Sequence, residues 1–253
     1  MLRIRNLSLA TEKKQLLTHL NCEILPGECW VVFGKNGAGK TTLMRTLAGL
    51  RQPDSGAVCL DEKPLFSWGM PALAQQRAYL PQAYHDAFAY PVMQIVLAGR
   101  HPYHARHYWE TDADWVAALF AMEQMDILSL KDRDVRSLSG GERQRVALAA
   151  VLAQDTPLML LDEPAASLDL AHQAGLMQLV GRLCREQEKS VVMVVHDLNL
   201  IHDVATHVLL IEEGGAWLAG PVSEIMNTDL LTRCLGYPIT MLQHEGRAVY
   251  IPA

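Results

Sequence analysis

Apolar positions along the chain fall into two rhythms. Uninterrupted apolar runs of strand length occur at residues 29–33, 158–161 and 191–195. Runs without polar relief fit parallel strands covered on both faces. Residues 3–9 alternate instead and predict a half-exposed strand. A second strand, around 20–25, stops at the turn Pro26-Gly27. Residues 57–60 return as a short strand after the turn Pro53-Asp54-Ser55-Gly56, and residues 77–82 read as a strand halted by Pro81. Residues 43–48 read as a helix closed by Gly49. From Ala83 to about Thr156 the strand–turn rhythm gives way to helical periodicity, as in residues 115–120. The pattern predicts an α/β fold. Residues 1–82 and 157–235 would form its core, 83–156 an inserted helical subdomain and 236–253 a short tail, with residues 248–251 as an edge strand.

Composition narrows the classes. With 253 residues, half of them hydrophobic and 20% charged, the chain has the makings of one large globular domain. A net charge of −6 argues against a surface that coats nucleic acid, and no nucleic-acid partner is expected. No stretch approaches the roughly 20 uncharged apolar residues of a spanning helix, and no apolar segment follows the first basic residues as a secretory leader requires. The five cysteines show no C-x-x-C spacing and several sit inside apolar runs, where a thiol serves as a small hydrophobe in a reducing compartment.

The candidate chemistry begins between the first apolar run and the first helix. Gly34-Lys35-Asn36-Gly37-Ala38-Gly39-Lys40-Thr41-Thr42 has the form G-x-x-x-x-G-K-[ST] in a strand–loop–helix setting. Glycines let backbone N–H groups turn around a phosphate, and the helix start adds its partial positive charge. Lys40 is placed to neutralise the β- and γ-phosphates, and Thr41 to offer its hydroxyl to Mg²⁺. Further on, residues 158–161 end in Asp162-Glu163. Asp162 at that strand end can hold Mg²⁺ through water, and Glu163 can orient or deprotonate the attacking water. These readings call for ATP and Mg²⁺.

Leu138-Ser139-Gly140-Gly141-Glu142 resembles the signature of the ATP-binding cassette family. Read from the residues alone, Ser139 through Gly141 open a helix and offer a second anion-binding site. A chain that already holds phosphate at residues 34–42 would use it most simply against the γ-phosphate held by another copy. The resemblance covers essentially the whole chain. It implies a P-loop core with an N-terminal antiparallel β subdomain. It also implies that Gln82 senses Mg²⁺ or the attacking water, that the loop ending at Asp169 communicates across the dimer, and that His196 contacts the γ-phosphate. Ser139, Gly140, Gly141, Glu142 and Asp169 join the nucleotide-binding set on the same ground, with Thr41, Gln82 and Asp162 around the metal. The family's adenine-stacking aromatic has no counterpart near Thr11, where Ala10-Thr11-Glu12-Lys13-Lys14 stands.

A finer resemblance points to importers of metal chelates: ferric siderophores, haem and vitamin B12. It rests on residues 90–102, which are similar to a V-x-x-V-x-x-G-R-x-P segment, on Leu168-Asp169-Leu170-Ala171-His172-Gln173, and on His196-Asp197-Leu198-Asn199. It implies a homodimer that works at the cytoplasmic face of the bacterial inner membrane. The partners implied are a polytopic membrane permease dimer and, indirectly, a periplasmic substrate-binding protein. The rival readings are a non-transport cassette in repair or translation and a phosphate-loop kinase. His101, His104 and His107 recur every third residue, but Pro102 interrupts any helix that would align them as metal ligands, so a polar loop is expected. Trp109 and Trp115 are read as packing residues.

Overall fold

The computed structural model describes residues 1–12, 14–83, 88–104, 109–202 and 204–253. In chain order its elements are β1 (Leu2–Thr11), β2 (Lys14–Ile24), β3 (Cys29–Gly34), α1 (Lys40–Leu47), β4 (Ser55–Leu60), β5 (Lys63–Pro64), α2 (Met70–Gln76) and β6 (Arg77–Leu80). There follow α3 (Val92–Ala98), α4 (Asp112–Gln124), α5 (Gly140–Ala153), β7 (Leu158–Asp162), α6 (Leu170–Gln187), β8 (Ser190–Val194) and β9 (His207–Ile211). The chain closes with β10 (Trp217–Pro221), α7 (Val222–Ile225), α8 (Thr228–Leu235), β11 (Ile239–His244) and β12 (Arg247–Pro252).

The apolar runs assemble side by side. The main sheet has six strands in the order β10-β9-β3-β8-β7-β6. The pairs β9–β3, β3–β8, β8–β7 and β7–β6 are parallel, and β10 is antiparallel to β9. Successive strand residues face opposite ways, so each run feeds two cores. Val31, Phe33, Met159, Leu161, Val191 and Met193 pack with α3, α4, α5 and α6. Trp30, Val32, Leu158, Leu160, Val192 and Val194 pack with α1 and with the second sheet. That sheet is antiparallel, in the order β2-β1-β4-β5. The three helices between β6 and β7 thus share one core with a face of the central sheet.

Several expectations need correction or refinement. β2 begins at Lys14 rather than near residue 20, because it pairs with β1 along nearly its whole length, from Thr11↔Lys14 to Leu2↔Ile24. The alternation read at residues 3–9 breaks at Asn6, which takes φ 49° as the register shifts, and Leu7, Ser8 and Leu9 are then all buried. Residues 248–251 are an edge strand, but of a small sheet of their own. They belong to β12, which pairs with β11 in a separate hairpin, Ile239↔Pro252 through His244↔Arg247. Trp109 and Trp115 are not packing residues either: they are 79% and 42% exposed.

The histidine segment is built around a buried acid. Residues His101–Tyr103 form a single 3₁₀ turn with Pro102 inside it. His104 Nε2 meets Asp114 Oδ2 at 2.8 Å, and Arg100 Nε donates to Asp114 Oδ1 at 2.9 Å. Thr111 caps α4 and gives Asp114 both its hydroxyl and its N–H. The imidazole of His104 is spent on this network. His107 lies outside the described residues.

Candidate functional site

The phosphate loop leaves β3 at Gly34 and enters α1 at Lys40. Gly39 must be glycine: its φ is 104°, and a Cβ there would stand 2.9 Å from Leu16 Cβ. No side chain caps α1, so no hydroxyl or carboxylate competes for its first N–H groups. Lys40 is buried and folds back over the loop, donating to Gly34 O at 2.7 Å and Lys35 O at 3.0 Å. Burial lowers its pKa, while the Glu163 and Asp162 carboxylates pull the other way. Lys35 turns its side chain away, to Glu213 Oε2 at 3.2 Å.

Strands β6, β7 and β8 deliver the remaining groups from their carboxyl ends. β7 ends in Asp162, whose carboxylate oxygens are both sealed from solvent without a hydrogen-bond partner. Burial is the largest influence on this carboxyl. The Thr41 hydroxyl opposes the shift and Glu163 reinforces it, and the net direction is upward. An orphaned buried carboxylate beside a phosphate loop fits a site for a hydrated divalent cation, with the Thr41 hydroxyl and Gln82 Oε1 as neighbouring oxygens.

Glu163 takes a left-handed backbone, φ 56°. The conformation is held where Glu163 N–H donates to Val194 O at 3.2 Å and Ala166 N–H donates to Glu163 O at 3.3 Å. Strain of this kind concentrates where a side chain must be aimed. Here it sends the carboxylate into a short chain of contacts. Gln82 Nε2 donates to Glu163 Oε1 at 2.7 Å, Thr41 Oγ1 donates to Gln82 Oε1 at 3.5 Å, and His196 Nε2 meets Glu163 Oε1 at 2.7 Å. Asn36, Gly37, Gly39, Lys40, Thr41, Thr42, Gln82 and Glu163 line one cleft of about 380 Å³, and Thr11 and Leu16 complete its wall. That wall contains no aromatic side chain among the described residues.

Ser139, Gly140, Gly141 and Glu142 do not line this cleft, and neither does Asp169. Ser139 caps α5 in a reciprocal box: its Oγ accepts from Glu142 N at 3.2 Å, and its N–H donates to Glu142 Oε2 at 2.8 Å. The Ser139 N–H holds the Glu142 carboxyl below its usual range. Asp169 caps α6 through His172 N–H, at 2.9 Å, and meets His172 Nδ1 at 2.8 Å. The two capped helices touch the loop after Glu163. Gln144 Nε2 donates to Pro164 O at 2.9 Å, and a Cβ on Gly141 would lie 3.0 Å from Ser167 O. Sequence reading missed Gln144, the cleft wall at Leu16 and the backbone of Glu163. For Gln144 its place in the run after Glu142 was the one available signal.

A family model described as "ABC transporter" matches residues 17–166. The chain is 39% identical over 253 residues to the hemin import ATP-binding protein HmuV of Rhodococcus jostii, covering 99% of this chain and 86% of that one. It is 40% identical over 252 residues to the protein of the same name from Pseudomonas aeruginosa, covering 98% and 97%. Among solved structures, a chain described as a metal-chelate type ABC transporter in an inward-facing conformation superposes with a TM-score of 0.86. That match has 28% identity and covers 100% of this chain and 97% of that chain.

Proposed function

This chain belongs to the ABC transporter family, and from that premise we propose that it is the ATP-hydrolysing subunit of a metal-chelate importer, with haem as the first candidate cargo. Full-length similarity to hemin import proteins supports haem over ferric siderophores and cobalamin. No helix among the described residues is long and apolar enough to cross a membrane, so the translocation path is assigned to a separate permease dimer. The subunit would sit on the cytoplasmic face of the cell membrane, fed by a substrate-binding protein on the far side.

One observation carries the mechanism. The phosphate loop, Gln82 and Glu163 line a single cleft, His196 reaches it through its contact with Glu163, and Asp162 is buried at the strand end before Glu163, whereas Ser139, Gly140 and Gly141 stand outside it. A second copy that brings its own Ser139–Gly141 turn to the γ-phosphate would complete the site. In this reading Lys40 and the loop amides bind the β- and γ-phosphates. Asp162, Thr41 and Gln82 would hold Mg²⁺, which when bound neutralises phosphate charge. Glu163, aimed by its strained backbone and by Gln82 and His196, accepts the proton of the attacking water. His196 also supplies a hydrogen bond toward the γ-phosphate. Hydrolysis then separates the two copies, and the change reaches the permease through α3, α4 and α5.

Affinity purification from gently solubilised membranes tests this reading. Co-purification of a polytopic permease, with ATPase activity raised by a haem-loaded binding protein, is the expected result. Stimulation by a loaded ferric siderophore or cobalamin instead would reassign the cargo. Recovery with ribosomes or DNA would overturn the transport reading and leave the ATPase in place.

A further inference from the structure

The segment between β8 and β9 carries His196 near its start and contains no regular helix or strand among its described residues. Apolar burial anchors one side of it, through Leu198, Ile201 and Val204. The C-terminal hairpin grips the other. Asn199 Nδ2 donates to Tyr250 O at 3.0 Å, and Tyr250 N–H donates to Asn199 Oδ1 at 2.8 Å. A primary amide sets an N–H donor and a carbonyl acceptor side by side, so the side chain mimics the reciprocal pair of a neighbouring antiparallel strand. Ala248 N–H adds a longer contact to His202 Nε2, at 3.4 Å. Asn199 is in turn tied back toward the histidine, for its own N–H donates to Asp197 Oδ1 at 2.8 Å.

The hairpin has independent anchorage. Tyr250 OH donates to Met226 O at 2.6 Å, Ile239 N–H donates to Thr232 Oγ1 at 3.0 Å, and Ile239 is buried. Asn199 therefore joins a fixed body to the irregular segment just beyond His196. The His196 ring itself is half exposed, and its polar contact among the described residues is the 2.7 Å approach to Glu163 Oε1. Burial alone does not aim it.

We infer that Asn199 is a positioning residue for His196, and that its amide clamp on β12 makes the C-terminal hairpin part of the apparatus for ATP hydrolysis. The inference rests on the role given to His196 above. Because the clamp fixes the path of the chain out of β8, it sets where the imidazole stands relative to Glu163 without touching nucleotide.

The test is a double-mutant cycle in the full chain, with steady-state ATPase rates measured against ATP concentration and Tm measured in parallel. Asn199→Ala should lower kcat about tenfold and leave KM for ATP within about twofold, since a misplaced group loses rate rather than ground-state binding. In a His196→Ala background the same change should have no further effect, because a residue acting through another is silent once its target is gone. Asn199→Asp keeps the acceptor for Tyr250 N–H but sets a carboxylate against Tyr250 O. It should fold and lower kcat as Asn199→Ala does. Unchanged kcat in both Asn199 variants, or losses that multiply fully with His196→Ala, would overturn the clamp while His196 keeps its role. An unchanged kcat in His196→Ala alone would refute the role of His196, and the inference with it.

Discussion

Glu163 and His196 meet at 2.7 Å, carboxylate Oε1 to imidazole Nε2, at the ends of two adjacent parallel strands. The register of those strands brings them together. Asp162 is paired with Val194, so the residues that follow each strand leave the sheet side by side. The backbone N–H of Glu163 donates to Val194 O and fixes the same alignment from the main chain.

Replacing the acid separates binding from chemistry. Glu163→Gln keeps an oxygen to accept from Gln82 but can no longer take a proton from water. Turnover should fall by about a hundredfold or more, with ATP affinity nearly unchanged. Phosphate release and nucleotide titration, run on the same preparation, check both halves. Gel filtration with ATP should then show the dimer persisting.

Lys40→Met tests the phosphate loop. The variant keeps an apolar stem but loses the ammonium that bridges Gly34 O and Lys35 O. ATP affinity should fall at least about tenfold, equivalent to about 1.4 kcal/mol. Burial of the ammonium already lowers its pKa, so Tm without nucleotide should hold steady or rise. Isothermal titration and thermal melts separate the two effects.

Asp162 carries a pH signature. Its folded pKa is raised, chiefly by burial. The protonated carboxyl therefore favours folding below the unfolded value of about 3.9, and that contribution is lost as pH rises through the raised folded value. Near neutral pH the charge opposes folding, so Asp162→Asn should raise Tm without nucleotide by about 2–4 °C. The gain should shrink toward about pH 4. The same variant should lose most of the thermal stabilisation that MgATP confers on the wild type. Melting curves across pH, with and without MgATP, read all three outcomes.

Asp114 shows the opposite sign. Burial pushes its carboxyl up, but the Thr111 hydroxyl and N–H, Arg100 and His104 together outweigh it and hold the group well below its usual range. Its contribution is present above the unfolded value of about 3.9 and disappears as pH falls through the depressed folded one. Asp114→Asn leaves Arg100 and His104, at 12% and 13% side-chain exposure, without their charge partner. A loss of about 3 kcal/mol at neutral pH is expected, narrowing in acid, as urea denaturation at several pH values would measure.

Much of this protein could be read before any coordinates. Apolar runs without polar relief named β3, β7 and β8, because a strand covered on both faces has no position for a polar residue. The glycine spacing of residues 34–42 named the phosphate loop, because only glycine tolerates φ 104° at residue 39 against Leu16. Those are local constraints, written in consecutive residues. Periodicity could not tell that residues 248–251 pair within their own hairpin, since an edge strand and a hairpin strand share one pattern. The packing role expected of Trp109 and Trp115 fails because a large apolar side chain does not by itself reveal whether a neighbour covers it, and both are exposed. The left-handed turn at Glu163, the orphaned oxygens of Asp162 and the grip of Asn199 on Tyr250 arise from strand register and from segments far apart in the chain. Sequence singled out the candidate groups for the chemistry. Tertiary structure decided which of them meet, because hydrogen bonds between distant segments form only once the sheet has set their register.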